Sequence, residues 1–282
     1  VPELPEVEFA RTCLERWLGG RVVAHAEEDR TRVTGGMSPA AFASLAGHRV
    51  LAVERRGKWL LLRFDGDVGL LAHLGMTGKF ELVTSGEAPP RWSRARLARA
   101  DDGVVHYRDP RLLGRLVVAP LAKILEEDPL ASLGPDAWTT PIGAVLAKRL
   151  GRSTRPVKDV LMDQTVVAGL GNIQATEALF LAGIHPARRG KSIGPAETDR
   201  LRKAIRASLG RTLKMNRGDK ITYVEESKRI KNPFHIYGKA GKPCPRCGTI
   251  VRKMTISGRT TAFCLNCQPR RPPRSDASSR RR

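Results

Sequence analysis

Two sets of residues in this chain have the types and spacing for chemistry. The first opens it, as Val1-Pro2-Glu3-Leu4-Pro5-Glu6-Val7-Glu8. A proline at a free N-terminus carries a secondary amine, and an α-amine titrates near pH 8, against about 10.4 for lysine. About a tenth of such an amine is neutral at pH 7, roughly hundreds of times the lysine fraction. Imine formation needs that neutral amine. Glu3 and Glu6 stand close by in sequence and are able to move protons. Val1 precedes the proline, and a retained Val1 would hold the Pro2 nitrogen in an amide. The second set lies near the other end. Cys244 and Cys247 form one CxxC pair, Cys264 and Cys267 a second, with sixteen residues between the pairs. In a reducing compartment such pairs mark a metal more often than disulfides. Four thiolates at this spacing make a closed tetrahedral site, which leaves no position for water and is therefore structural. One structural Zn2+ is expected there.

The elements that must position these groups follow from periodicity. Val7, Ala10, Leu14, Trp17 and Leu18 recur at helical spacing over residues 5–18, with Pro5 in the first turn and Gly19-Gly20 as the stop. Cys13 falls near that apolar stripe and is expected in the core. From Arg21 to about Val118 the pattern turns to short strands: 49–55, 59–64, 69–74, 79–83, 97–100, 104–107 and 116–119. Turn signals such as Asp65-Gly66-Asp67 and Asp101-Asp102-Gly103 separate them, which suggests a β-sandwich or barrel. Residues 120–140 read as a proline-marked linker. Helical stripes then follow: Ile142/Val145/Leu146/Leu150, Val157/Val160/Leu161, Ile173/Thr176/Leu179/Phe180 and Leu201/Ile205/Leu209/Leu213. The turn Ala168-Gly169-Leu170-Gly171-Asn172 joins the second stripe to the third and is able to present backbone N–H groups to a phosphate. The domains expected are 1–119, a helical unit 141–225, a mobile loop 226–237, a cysteine module 238–268 and a disordered basic tail 269–282. In the module Gly258-Arg259-Thr260-Thr261 reads as a hairpin tip with Arg259 outward.

Charge limits the partners. The 282 residues carry a net charge of +22 with 41% hydrophobic residues, so a real core coexists with strong attraction for polyanions. Nucleic acid is the default partner of such a chain. No apolar run reaches the roughly 18 residues of a membrane span, and the acidic, proline-rich start is wrong for a secretory signal. The expectation is a cytoplasmic, DNA-associated protein with no membrane partner.

Six motifs occur in one order: Pro2-Glu3-Leu4-Pro5-Glu6-Val7-Glu8, Arg56-Gly57-Lys58-Trp59, His73-Leu74-Gly75-Met76-Thr77-Gly78, Asp109-Pro110-Arg111, Gly169-Leu170-Gly171-Asn172-Ile173 and the cysteine hairpin. Together they resemble the formamidopyrimidine-DNA glycosylase family, which also contains endonuclease VIII. Leu4 fits the formamidopyrimidine branch, where the other typically has Gly. The resemblance covers residues 2 to about 268. It implies an α+β multidomain fold: an N-terminal β-sandwich with flanking helices, a helix–two-turn–helix domain and a C-terminal four-cysteine zinc β-hairpin finger. It implies a bifunctional DNA glycosylase and abasic-site lyase of base-excision repair, acting as a monomer on double-stranded DNA that contains an oxidised purine or an abasic site. Pro2 would form the imine, Glu3 would manage protons on the sugar, and Glu6 would support the amine. Lys58 would donate protons around β-elimination and touch a lesion-side phosphate. Asn172 and Arg259 would clamp phosphates, with Arg259 also serving δ-elimination. Met76 and Arg111 match two of three side chains that fill the hole left by a flipped base.

The chain departs from the family pattern at several places. The third filling position, usually aromatic, is Leu113; base-stacking aromatics contribute ~1–3 kcal/mol, so weaker lesion searching or relaxed opposite-base choice is expected. A DNA-contacting histidine is replaced by Trp92. A DNA-contacting lysine aligns with Thr154, where Arg152 and Arg155 are expected to supply the charge. The loop 224–234 lacks the usual glycine-containing form. Val1 is expected to be a GTG start codon written as valine, so that methionine removal exposes Pro2. The alternative is a non-catalytic binder of damaged or structured DNA on the same scaffold.

Overall fold

The computed structural model describes residues 2–84, 86–216 and 232–270. The expectations for Val1, for most of the basic tail and for loop residues 217–231 therefore lie outside the described residues. Two compact units divide the chain between Asp136 and Ala137, with residues from Leu209 grouped with the first and those from Asn232 with the second.

In the first unit, helix α1 (Leu4–Leu18) begins where the proline at its second position fits the first turn, and it ends at Gly19. Its apolar stripe, Val7, Ala10, Leu14, Trp17 and Leu18, is buried, and Cys13 is buried with it. Eight strands make two antiparallel four-stranded sheets. They are β1 (Val23–Glu28), β2 (Val50–Arg56), β3 (Trp59–Phe64), β4 (Val68–His73), β5 (Lys79–Val83), β6 (Ser93–Arg99), β7 (Val104–Arg108) and β8 (Arg115–Pro120). The sheets run β1-β6-β7-β5 and β2-β3-β4-β8. Alternation decides what each face meets. Leu60, Leu62 and Phe64 of β3 join α1 and the other sheet in the main core. Leu61, one step out of phase, packs on the opposite face with Leu71, Leu121, Ile124 and Leu130.

That second packing corrects the expected linker. Residues 121–126 form helix α3 (Leu121–Glu126), and Leu121, Ile124 and Leu130 are buried. The connector is thus a cover for the second sheet, because β3 and β4 carry apolar residues on both faces. Strand β1 and the short helix α2 (Pro39–Ala43) are further elements that periodicity did not mark.

In the second unit the expected stripes become α4 (Gly143–Arg152), α5 (Val157–Met162) and α6 (Asn172–Ala182), and α7 (Pro195–Met215) starts there, its residues from Leu209 grouping with the first unit. The cysteine module is a two-stranded hairpin, β9 (Arg252–Ile256) and β10 (Arg259–Phe263). Ser257 and Gly258, at φ 46° and 72°, form its two-residue turn. A small core of Phe180, Ile236, Cys244, Val251, Ala262 and Cys264 joins the hairpin to α6. Arg246 fastens the same joint, donating to the carbonyls of Phe180 and Leu181 at 2.9 and 3.1 Å.

Residues 232–237 also depart from the expected mobile loop. The Glu177 carboxylate, 2% exposed on α6, accepts the backbone N–H groups of His235, Ile236 and Tyr237 at 2.8–2.9 Å. A buried carboxylate must collect donors, and here it fixes the segment leading into the finger.

Candidate active site

The N-terminal carboxylates are organised by the helix they begin. Glu3 is the N-cap of α1, and Glu3 and Glu6 bond reciprocally to each other's backbone N–H groups as a capping box. Glu6 accepts the Glu3 N–H at 2.8 Å. Pro2, Glu3, Leu4 and Pro5 are buried around this turn. Burial first, and the neighbouring Glu3 charge second, push the Glu6 carboxyl up to about 7. At neutral pH this group therefore both holds and releases a proton.

Lys58 does not lie within a strand. It follows Gly57 in the two-residue turn between β2 and β3, half-buried. The turn is braced by Arg55, whose guanidinium reaches Glu8 on α1, Asp136 and the Gly57 carbonyl. Asp136 also accepts the Gly57 N–H at 3.0 Å. The helix that carries Pro2, Glu3 and Glu6 is thereby tied to the turn that carries Lys58. His73, the register partner of Trp59, packs against that ring with centroids 4.7 Å apart and planes tilted by 51°. Burial, then the Lys58 charge, push its imidazole down to about 4. Its Nδ1 accepts the Gly75 N–H at 3.1 Å, so the neutral ring presents Nε2–H. Sequence reasoning passed over His73 as a site residue, although it lies in one of the six motifs.

Met76 and Leu113 are exposed apolar side chains on two loops, with Arg111 exposed beside Leu113. The loops touch through backbone: a Cβ on Gly75 would lie 2.4 Å from the Leu113 carbonyl carbon. Trp92 stands apart at the start of β6, its ring 4.2 Å from the Arg91 guanidinium and 5.1 Å from that of Arg108. An indole has one N–H donor and no nitrogen that takes up a proton as a histidine does; the flanking arginines carry the charge.

In the second unit, Asn172 opens α6 after Gly171. Gln164 braces the glycine turn, accepting the Gly169 N–H at 2.9 Å and donating to the Leu170 carbonyl at 2.8 Å. Asn172 Nδ2 donates to the Thr260 carbonyl at 3.1 Å, which brings the turn to the hairpin tip. Lys158 of α5, fully buried, donates from Nζ to Asn172 Oδ1 at 2.5 Å and also to Thr261 Oγ1. Sequence reasoning missed Lys158, since one lysine inside an apolar stripe gives no periodic signal. The turn lies at Ser257-Gly258, not over the expected 258–261, because Arg259, Thr260 and Thr261 pair within β10; Arg259, the first residue of that strand, is exposed as expected, with Nη1 3.3 Å from the Ser257 carbonyl. Thr154 is exposed ahead of α5. Of its neighbours, Arg155 is committed to Asp163 at 2.8 Å, a correction to the idea that it supplies free charge. Arg152 lines a cleft of about 580 Å³ with Lys148 and Arg149.

The four cysteine Sγ atoms lie within 4.8 Å of one another, with Cys244–Cys267 at 3.9 Å and Cys247–Cys264 at 3.5 Å. A tetrahedral ion with Zn–S near 2.3 Å requires S···S of roughly 3.8 Å. The thiolate set therefore fits one zinc ion, held by Cys244, Cys247, Cys264 and Cys267.

Family models match the chain in the same order: the formamidopyrimidine-DNA glycosylase N-terminal domain over residues 1–116, its H2TH domain over 133–223, and the zinc finger found in FPG and IleRS over 241–270. The chain belongs to the formamidopyrimidine-DNA glycosylase family. The formamidopyrimidine-DNA glycosylase of Bacillus cereus is 35% identical over 278 residues, covering 96% of this chain and 100% of that protein. That of Lactiplantibacillus plantarum is 32% identical over 94% of this chain and 98% of its own length. A Lactococcus lactis FPG mutant in complex with Fapy-dG DNA superposes with TM-score 0.85 at 31% identity, covering 95% of this chain and 100% of that one. Lactococcus lactis Fpg with an abasic-site DNA gives TM-score 0.85 at 30% identity over 95% and 99%. Among the described residues no helix is long and apolar enough to cross a membrane.

Proposed function

We propose that this glycosylase-family chain removes oxidised purines, 8-oxoguanine and formamidopyrimidines, from double-stranded DNA and then cleaves the strand at the abasic site. The observation that carries the reading is the agreement of all three family domains with an intact Pro2-Glu3-Leu4-Pro5-Glu6 start. The damaged nucleotide leaves the stack, and Met76, Arg111 and Leu113 fill its place. The neutral Pro2 amine attacks the sugar C1′ as the glycosidic bond breaks, and the base leaves with a proton. Glu6 in its carboxylate form accepts a proton from the Pro2 ammonium; its pKa of about 7 suits that exchange at neutral pH. Glu3 serves the sugar during ring opening to the imine. The imine acidifies C2′–H, whose loss expels the 3′ phosphate. A further proton loss expels the 5′ phosphate. Lys58, with its charge beside the neutral His73, serves the first elimination and Arg259 the second, while Asn172 and Arg259 grip phosphates. Trp92 and Thr154 contact DNA more weakly, with Arg91 and Arg108 carrying the charge beside the first and Arg152 near the second.

The zinc ion supplies no step. It holds the hairpin from which Arg259 projects. The protein acts as a monomer in the cytoplasm, associated with the nucleoid through its DNA affinity. Borohydride reduction with abasic-site DNA is expected to trap a covalent adduct at Pro2 of the mature protein. Intact binding with no adduct removes the enzymatic reading and leaves the non-catalytic binder. N-terminal mass analysis of the natively expressed protein then shows whether Pro2 or Val1 carries the free amine.

A further inference from the structure

One buried carboxylate and one exposed guanidinium converge on the two loops that carry Met76 and Leu113. Asp109, 0% exposed, accepts the Thr77 hydroxyl at 2.6 Å, the Arg111 N–H at 3.2 Å and the Gly114 N–H at 2.7 Å. A single side chain thus bonds residues that flank Met76 on one loop and Leu113 on the other. Its backbone N–H reaches the Trp92 carbonyl at 3.1 Å, and its own carbonyl accepts from Arg94 Nε at 3.1 Å. From the other side Arg32 donates Nε to the Leu112 carbonyl at 2.7 Å and Nη2 to the Arg111 carbonyl at 2.8 Å. This is a two-pronged grip on successive peptides. Leu112 sits at φ 54°, a left-handed conformation that costs a branched residue energy and persists only when its surroundings hold it. Arg32 is itself held: it begins a short 3-10 turn capped by Thr31, with Val33 and Thr34 buried behind it. The loops also lack room to move separately, since a Cβ on Gly75 would strike the Leu113 carbonyl and one on Gly114 the Tyr107 hydroxyl.

We propose that Arg32 is a positioning residue for base excision: with Asp109 it holds the Met76 loop and the Arg111–Leu113 loop as one rigid body, so that both side chains enter the duplex together. This rests on the glycosylase reading above. The requirement is stronger here than with an aromatic at position 113. Leucine stacks less well on bases, so placement must make up what surface contact lacks. Preorganised groups lose less freedom on binding, which is where such a lock acts.

Arg32→Met tests it, because the side chain is exposed and the substitution does not touch the core. Three readouts separate the possibilities: excision of 8-oxoguanine from duplex DNA, cleavage of single-stranded abasic DNA, and fluorescence of 2-aminopurine beside the lesion. Arg32→Met is expected to lose about tenfold in duplex kcat/KM, the scale of one charge-assisted hydrogen bond. It should also slow the fluorescence rise that reports unstacking. Single-strand cleavage, which needs no wedge, should stay within about twofold. Arg32→Lys should fail to rescue, since one ammonium does not reproduce the fork. Thr77→Val, which removes one bond to Asp109, should shift duplex excision in the same direction by less. Unchanged duplex excision in Arg32→Met, an equal loss on both substrates, or full rescue by lysine overturns the proposal. The last result would mean that Arg32 acts as a charge on DNA. If the wild type forms no imine adduct, the enzymatic reading fails by itself, and the fluorescence arm still decides whether the loops act as one.

Discussion

The two functional regions hold their polar groups in place by different means. In the sandwich, burial and neighbouring charge set protonation: Glu6 at the start of α1 is raised to about 7, and His73 at the end of β4 is lowered to about 4. Around Asn172, cross-links set position: Lys158, Asn172, Thr260 and Thr261 bond to one another, and four thiolates fix the hairpin that carries two of them. The first region tunes proton affinity; the second tunes geometry. The difference follows from their cores. The sandwich buries a large apolar set behind its site. The finger has six residues in its own cluster, two of them cysteines, and must take its stiffness from metal and hydrogen bonds.

Stripping zinc should break the comparison most visibly. Structural zinc supplies ~10–16 kcal/mol of folding free energy in small modules. Chelation under mild denaturation, or Cys247→Ser, is expected to unfold the hairpin and weaken binding to abasic DNA by about 100-fold or more. The sandwich should keep its near-UV circular dichroism. Loss of the sandwich signal in parallel would show that the two regions are not independently built.

Glu6→Gln probes the other side. Removal of a positioned proton acceptor is expected to lower kcat by about 10²-fold or more. Wild-type kcat/KM should rise with pH through about 7 as Glu6 loses its proton, and the variant should lack that limb. Stability carries the same signature. A carboxyl raised from 4.5 to about 7 binds protons better in the folded state, so wild-type stability should fall as pH rises across that window. The span is at most about 3 kcal/mol, and Glu6→Gln should flatten it in denaturant titrations. A flat wild-type profile would contradict burial as the tuning force.

Smaller effects test the cross-linking. Lys158→Met should weaken DNA binding about tenfold, because Asn172 and Thr261 lose a shared donor. Asn172→Ala should do the same, and the double variant should be no worse than either, as expected of one unit. Additive losses in binding titrations would mean that the two side chains act separately. The smallest expected change is a gain: Leu113→Phe should sharpen opposite-base discrimination by a few-fold through better stacking. Unchanged kinetics against every opposite base would remove leucine as a cause of relaxed choice.

Much of the fold was legible because its signals are local. The stripe Val7/Ala10/Leu14/Trp17/Leu18 reads as α1 from spacing alone, and Asp101-Asp102-Gly103 marks the β6–β7 turn. Strand β1 was not legible, since its burial does not alternate: two exposed residues stand between Val23 and Ala26, and two half-buried ones follow. The linker misread has a clear cause: prolines at 120, 129, 135 and 141 hid a helix whose partner, the outer face of β3 and β4, lies about fifty residues or more away in sequence. Of the residues proposed for the site, Pro2, Glu3, Glu6, Lys58, Asn172 and Arg259 were picked out because they sit in motifs. His73, Lys158 and Arg32 depend on neighbours from distant segments.

What the sequence by itself determined is therefore the set of groups and their order: a proline with two carboxylates, four cysteines at metal spacing, and the glycine turn before Asn172. These are matters of residue type and short separation, which the chain carries directly. Only the tertiary structure decided which groups are desolvated and which are bonded. Glu6 titrates near 7 because a fold closes over it, and Lys158 is a cross-link because α5, α6 and the hairpin tip meet at its ammonium. Both depend on burial and on long-range contact, and neither is a property of any local stretch of sequence.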